Sequence, residues 1–214
     1  SIAVDIQTKK PFDFMFRIPG WADKFTVVKD GTDTEVQPQN GFARLQITKG
    51  CHIKIMFESS VQEHETNDGI YFSKGPLVYC YGLTGKRERD RNEKRSSETF
   101  PAYNIYANDK WNYAVKRGSE STFVPGTQTG FDLNKDLPSI RVQAFEAPEW
   151  LLDRRDTIEV CDDLYKKTSH RESGHFQFTP SPQSAGRISD CEQTLTLRPY
   201  GASKLRVTVF PVKP

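Results

Sequence analysis

Three carboxylates and a histidine stand close together near residue 65, and they are the side chains best suited to acid–base chemistry. Glu63, Glu65 and Asp68 surround His64 just after a strand-like segment. Residues two apart in an extended segment share a face, which puts Glu63 and Glu65 at a separation suited to glycosidic bond cleavage by an acid and a nucleophile or base. Any Glu-x-Glu sequence in a strand meets this geometry, so an exposed polar edge is the favoured interpretation.

Histidines and cysteines form a second set of candidates. His170 and His175 lie five residues apart, with Cys161 and Cys191 at a distance on either side. Both residue types bind zinc, but this spacing matches no closed zinc site and no Cys-x-x-Cys is present. We therefore expect no metal and no cofactor. Disulfides are not expected either; if one pair formed, it would be Cys161 with Cys191, because both lie in polar sequence.

Loop aromatics point to binding rather than catalysis. Trp111, Asn112 and Tyr113 follow a turn-like Asp-Lys pair. A flat indole on a loop can stack on a sugar ring while a neighbouring amide bonds its hydroxyls, so these three are the candidate carbohydrate-binding residues. The alternative, that the ring closes one end of a β-sandwich, applies equally to Trp111 and is favoured for Trp21 and Trp150.

Composition limits the classes of partner. The chain has 214 residues, with 30 basic and 28 acidic side chains and a formal net charge of +2. This balance argues against a nucleic acid or an anionic membrane as partner, and no apolar run approaches the roughly 20 residues of a membrane span. The chain starts at Ser1 with strand-like alternation and without Met, which we interpret as a piece of a longer protein.

Apolar residues alternate with polar ones through most of the chain and predict an all-β fold. Ala43, Leu45 and Ile47 show this period of two after an Asn-Gly turn, and Asp30-Gly31 is a strong hairpin signal. Strands at this spacing predict two antiparallel β-sandwich, jelly-roll-like domains in tandem. Only residues 149–155 could make a turn or two of helix.

A charged segment divides the predicted domains. Residues 86–95 contain no apolar side chain and cannot be buried, so they predict a solvated connection. We therefore predict a first sandwich over residues 1–85, a charged linker over 86–98 and a second sandwich with long loops over 99–214. Within the second, Tyr165–Ser189 is nearly devoid of aliphatic residues and predicts a long loop.

The segment from Ile70 to Gly82 is apolar on both faces and is interrupted by Gly75-Pro76. Pro76 cannot donate a ladder hydrogen bond, so it must sit at a bulge or a strand start. We predict a central strand with a bend, in which Leu77 is a core residue.

Four sequence motifs lie in order along the whole chain. They are Phe14-Met-Phe-Arg-Ile-Pro-Gly-Trp-Ala22, Gly75-Pro-Leu-Val-Tyr-Cys80, Trp111-Asn-Tyr113 and Leu197-Arg-Pro-Tyr-Gly-Ala-Ser-Lys-Leu-Arg-Val-Thr-Val-Phe-Pro211. Together they resemble motifs of the β-L-arabinofuranosidase family, glycoside hydrolase family 127, and its relatives. The family's usual Trp and Gly-Asp are replaced here by Ile47 and Gly50-Cys51, which changes details of sheet packing.

The resemblance implies a β-sandwich region whose catalytic partner lies elsewhere. Enzymes of this family carry an (α/α)6 barrel, with acid/base glutamates and a zinc-bound cysteine nucleophile, followed by β-sandwiches. This chain resembles the sandwiches, so no catalytic residue is transferred to it. The expectation is a non-catalytic structural region that buttresses the barrel of the same polypeptide, in the periplasm or secreted. The alternatives are a module that binds plant polysaccharide through Trp111 and Tyr113, and a hydrolase built on Glu63, Glu65 and Asp68.

Overall fold

The computed structural model describes residues 1–91, 93, 96–128, 135–163 and 168–214. The all-β fold is confirmed: within these residues the chain forms strands and two short 3-10 turns, Pro182–Ser184 and Tyr200–Ala202. Neither turn approaches the length of a membrane-spanning helix, and no described helix could cross a bilayer.

The strands are β1 (Ile2–Ile6), β2 (Phe12–Arg17), β3 (Lys24–Lys29), β4 (Thr32–Asp33), β5 (Pro38–Gln39), β6 (Phe42–Ile47), β7 (Cys51–Glu58), β8 (Val61–Glu65), β9 (Ile70–Lys74), β10 (Leu77–Leu83), β11 (Gly85–Arg89), β12 (Tyr103–Ala107), β13 (Tyr113–Lys116), β14 (Ser121–Val124), β15 (Ser139–Glu146), β16 (Asp153–Asp163), β17 (Thr168–Phe178), β18 (Glu192–Pro199), β19 (Leu205–Val207) and β20 (Val212–Lys213).

The chain divides into two compact units. The first contains Ser1–Gln62 and Ser73–Leu77, and the second contains Glu63–Phe72 and Val78–Pro214. This division differs from the predicted boundary at residues 86–98, because β8, β9 and β10 are neighbours in one sheet with strands from much later in the chain.

The first unit is a sandwich of two sheets, with strand orders β1-β7-β3-β4 and β2-β6-β5. Its core combines Val27, Ile53 and Ile55 from the first sheet with Leu45 and Ile47 from the second. Strand β6 contributes every second residue to this core, because its residues alternate strictly between exposed and buried, as the sequence predicts.

Two hairpins of the first unit turn at the predicted dipeptides. Asp30 and Gly31 both have positive φ, 49° and 80°, and connect β3 to β4. Asn40 and Gly41, at 52° and 78°, connect β5 to β6 in the same way. Two successive residues with positive φ match the right-handed twist of the strands that they join.

The second unit is organised on a nine-stranded sheet, in which β20-β13-β15-β18-β10-β9-β8 form the main path. Two strands lie off this path. Strand β14 pairs with β15, which also pairs with β13, and β19 pairs with β10, which also pairs with β18. Strand β15 pairs antiparallel with β13, β14 and β18, strand β10 pairs antiparallel with β18 and β19, and β13 pairs parallel with β20. Along β15 and β18, residues Ile140, Val142, Leu195 and Leu197 point to the core, and the residues between them face outward.

Two hairpins form where the sequence predicts irregular structure. Strand β11 lies in the predicted linker and pairs with β12, although its five residues are all exposed. Strand β17 lies in the predicted loop 165–189 and pairs with β16. Alternation is weak in both because neither face is buried. Residues 92, 94 and 95 of the linker and 165–167 of the loop lie outside the described residues.

The segment from Ile70 to Gly82 is two adjacent strands, not one bent strand. Gly75, with a φ of 57°, and Pro76 form the turn between β9 and β10. Ile70, Phe72, Tyr79 and Cys80 are buried as predicted, but Leu77 is only partly buried because it adjoins the turn. Residues 149–155, which could have made a turn or two of helix, form none, since β16 begins within them.

Candidate functional site

Two of the three candidate carbohydrate-binding residues are buried in the second unit. Asn112 and Tyr113 are each only 7% exposed. The Asn112 Nδ2 donates to the Ala147 carbonyl at 2.9 Å, and the Ala147 N–H donates to the Asn112 carbonyl at 2.9 Å. The Tyr113 ring packs edge-on against Tyr81 at 5.7 Å. These contacts tie the start of β13 to the end of β15, and they leave no ring face of Tyr113 for a sugar.

Trp111 is half-buried and packs on Trp150, with ring centroids 4.8 Å apart. Trp150 is almost fully buried, and its Nε1 donates to the Pro180 carbonyl at 3.1 Å. The interpretation of Trp150 as a packing residue therefore holds. Of the Trp-Asn-Tyr motif, Trp111 alone keeps exposed surface, and sugar binding through it stays a prediction.

Each of the three candidate catalytic carboxylates contacts another group of the second unit. Glu63 accepts from the Gly118 N–H at 3.1 and 3.2 Å, and Glu65 forms an ion pair with Arg117 at 2.5 Å. Asp68 accepts from the Ser181 hydroxyl at 3.1 Å. The two glutamates share the face of β8 that the spacing predicts, but their partners fix the β13–β14 turn. This arrangement is that of a structural contact.

A cleft of about 480 Å³ lies beside these acids, and we call it the β8 cleft. Its wall carries the Glu65–Arg117 ion pair, Asp68 and Gln183, whose side-chain amide donates to the Asn67 carbonyl. Lys213 closes one end and donates to the Ser189 carbonyl and to Asp190, both at 2.8 Å. The Lys213 ammonium holds the pKa of Asp190 below its ordinary value. The two cations of this cleft, Arg117 and Lys213, are thus already paired with carboxylates.

The structure gives no support for a metal centre in the part of the chain that it describes. No group of three or more His, Cys, Asp or Glu side chains converges there. His170 contacts Glu172, with Nε2 and Oε1 3.0 Å apart, and the side chain of His175 lies outside the described residues. Cys161 and Cys191 are both exposed free thiols, so the one disulfide that the sequence analysis considered is not formed.

A second cleft, which the sequence analysis did not identify, lies on the outer face of strands β14, β15 and β18. It has a volume of about 320 Å³, and we call it the sheet-face cleft. The sequence carries part of the signal, because Arg141 and Gln143 in β15 and Thr194 and Thr196 in β18 alternate with aliphatic residues, but strand pairing is needed to make them neighbours. The cleft is lined by Val142 and by the polar residues Glu120, Thr122, Arg141, Gln143, Glu192 and Thr194.

Thiol labelling is expected to separate the cysteines into two classes. Cys51 and Cys80 are buried, and burial raises the pKa of the Cys80 thiol to about 11. At pH 8 only roughly one Cys80 in a thousand would be the reactive thiolate. Iodoacetamide should therefore label Cys161 and Cys191 in the native protein and all four cysteines in guanidinium, as read by peptide mass spectrometry. Native labelling of Cys80 as fast as Cys191 would contradict its burial.

Comparison with known proteins finds likeness in solved structures. A GH127 β-L-arabinofuranosidase from Geobacillus stearothermophilus T6 matches with a TM-score of 0.51 and 14% identity, over 99% of this chain and 28% of that one. A protein named as a glycoside hydrolase matches with a TM-score of 0.53 and 16% identity, over 99% and 30% of the two chains. A GH127 β-arabinofuranosidase has a TM-score of 0.47 and 13% identity, over 99% and 30%.

The likeness lies in the fold. No protein-family model matches the chain, and no curated protein is significantly similar to it in sequence. The chain spans less than a third of the length of the solved structures that it matches. The resemblance that the four motifs indicate is confirmed at this level: the chain has the fold of one part of a GH127 β-L-arabinofuranosidase.

Proposed function

We propose that this chain is a non-catalytic β-sandwich region of a glycoside hydrolase related to the β-L-arabinofuranosidases, and that it supports a helical catalytic barrel in the same polypeptide. The observation that carries the proposal is the coverage of the structural match. Nearly the whole chain matches, yet it accounts for only 28% and 30% of the two proteins with a TM-score above 0.5. The remaining length of such a protein has room for a separate catalytic domain.

The state of the acidic residues supports the non-catalytic role. Glycoside hydrolysis needs one carboxyl group that donates a proton and a second carboxylate at a fixed separation on the other side of the bond. Glu63, Glu65 and Asp68 instead accept from Gly118, Arg117 and Ser181. These partners tie all three side chains to other parts of the protein, so the three carboxylates are better explained as structural.

An activity assay on this chain tests the proposal. The purified, folded chain should release no nitrophenol above the buffer rate from 4-nitrophenyl β-L-arabinofuranoside. The triple variant Glu63→Gln, Glu65→Gln, Asp68→Asn serves as the matched control. If the chain turned the substrate over and the triple variant did not, these acids would be catalytic and the proposal would fail.

The partner and the location belong to the same proposal. We assign the barrel of the parent polypeptide as the main partner and place the parent enzyme outside the cytoplasm, where plant polysaccharides are degraded. Nucleic acid and membrane are not proposed as partners, because basic and acidic side chains are nearly equal in number.

A further inference from the structure

The sheet-face cleft presents an ordered grid of polar side chains. Thr122 and Arg141 are in register across β14 and β15, and Gln143 and Thr194 are in register across β15 and β18 in the next row. Directly opposite residues in neighbouring strands project to the same side of a sheet. The two rows lie about 7 Å apart along the strands, and the three strands span about 10 Å, so these side chains form a small, regular surface.

These side chains keep their hydrogen-bonding capacity. Over the described ranges, none of the side chains of Glu120, Thr122, Arg141, Gln143, Glu192 and Thr194 forms a hydrogen bond or an ion pair with another protein group. The β8 cleft differs, because its cations Arg117 and Lys213 are paired with the carboxylates of Glu65 and Asp190. A ligand could therefore bind in the sheet-face cleft without breaking an internal contact.

We infer that the sheet-face cleft binds a neutral oligosaccharide. A sugar hydroxyl both donates and accepts, so it needs partners of both kinds. Arg141 supplies only donors, Glu120 and Glu192 supply only acceptors, and Gln143 supplies both. The threonines add hydroxyls that do either, and their methyl groups offer apolar contact to the C–H side of a sugar ring.

Charge and size select the class of sugar. The two glutamates outnumber the single arginine of the cleft, so an acidic polysaccharide would meet net repulsion, whereas a neutral one would not. The volume of about 320 Å³ lies at the lower end of the range for small-molecule sites, which fits a short segment of a glycan chain. The site is separate from Trp111, for which the sequence alone suggests sugar binding.

This inference rests on the proposed function in one respect, namely that the ligand is drawn from the substrates of a glycoside hydrolase. The proposed function and the inference about the sheet-face cleft can be disproved independently of each other. Hydrolysis by the chain would overturn the proposed function and leave binding at the sheet-face cleft intact. Absence of binding would overturn the inference and leave the supporting role intact.

Titration of the whole 15N-labelled chain tests the inference, with a neutral arabino-oligosaccharide fraction as the probe and an oligogalacturonide as the acidic comparison. The neutral probe should shift the amide resonances of Thr122, Gln143 and Thr194. The variants Arg141→Ala and Gln143→Ala should each weaken binding roughly tenfold, because each removes hydrogen bonds to the sugar. Arg154→Ala is the matched control, since Arg154 is an exposed strand arginine outside the cleft.

Unchanged thermal midpoints in both cleft variants would show that lost binding is not lost folding. Shifts at Thr122, Gln143 and Thr194 that both cleft variants weaken, and that Arg154→Ala does not, support the inference. No shift at millimolar probe, shifts that centre on Trp111, or stronger binding of the oligogalacturonide would each overturn it.

Discussion

Replacing Gly69 by Ala is expected to destabilise the second unit by about 3 kcal/mol, because the site combines a backbone clash with an unfavourable φ. A Cβ at Gly69 would overlap the carbonyl oxygen of Phe210 and lie 3.0 Å from its carbonyl carbon. The same carbonyl accepts from the Ile70 N–H at 3.0 Å, and the Phe210 N–H donates back to Ile70 at 2.8 Å. Ile70 and Phe210 are both fully buried, so neither can move aside.

Gly118→Ala is the matched control for this prediction. Gly118 also has positive φ, +63°, but a Cβ there would meet nothing within 4 Å. Its cost should be about 1 kcal/mol, which is the price of the backbone conformation alone. Urea unfolding followed by tryptophan fluorescence measures both, since Trp111 and Trp150 lie in the second unit. Equal costs for the two variants would mean that the Gly69–Phe210 approach is looser than described.

Replacing Trp150 by Ala should cost the second unit about 3–5 kcal/mol, the range for removing a fully buried large aromatic side chain. Trp150 is 1% exposed, packs against Trp111 at 4.8 Å and donates to the Pro180 carbonyl at 3.1 Å. The substitution leaves a cavity under the chain segment that follows β15, and it leaves the Pro180 carbonyl without its partner.

Trp150→Phe separates packing from hydrogen bonding. Phenylalanine keeps most of the ring contact with Trp111 and loses the indole donor, so we expect a cost of about 1–2 kcal/mol. The same urea titration reports it, read by circular dichroism because one tryptophan is removed. If Trp150→Ala and Trp150→Phe destabilised the protein equally, the hydrogen bond rather than the buried ring would be the main contribution.

The strands of the first unit could be predicted from sequence because one face of each is buried. In β6 the buried residues Ala43, Leu45 and Ile47 alternate with exposed ones. This period of two predicts a strand, and the segment shows no helical period. The turns at Asp30-Gly31 and Asn40-Gly41 follow from local chemistry, since Asn, Asp and Gly accept positive φ most readily. In these segments the local preference and the global fold agree.

The two exposed hairpins could not be predicted, because alternation reports burial and not pairing. In β11 all five residues are exposed, so a charged strand looks like a charged linker until its partner β12 is known. The register of β16 with β17 is likewise set by hydrogen bonds between backbones, for which the side chains of polar strands give little signal. The division at residues 86–98 depended on this interpretation.

The candidate sites required topology as well as sequence. Glu65 pairs with Arg117, which lies 52 residues further along the chain, and only the sheet order brings the two together. The burial of Asn112 and Tyr113 also depends on a distant segment, the end of β15. The sheet-face cleft was missed for the same reason, since Thr122, Arg141 and Thr194 become neighbours only through pairing.

The length of the native polypeptide tests the central claim most directly. If this chain is the supporting region of a glycoside hydrolase, then the intact protein, detected by mass spectrometry of the source organism through peptides of this chain, should be about 700–760 residues long, in line with a coverage of 28–30%. Its additional peptides should come from a helical barrel with zinc-ligating cysteines. A native protein close to 214 residues would contradict the account.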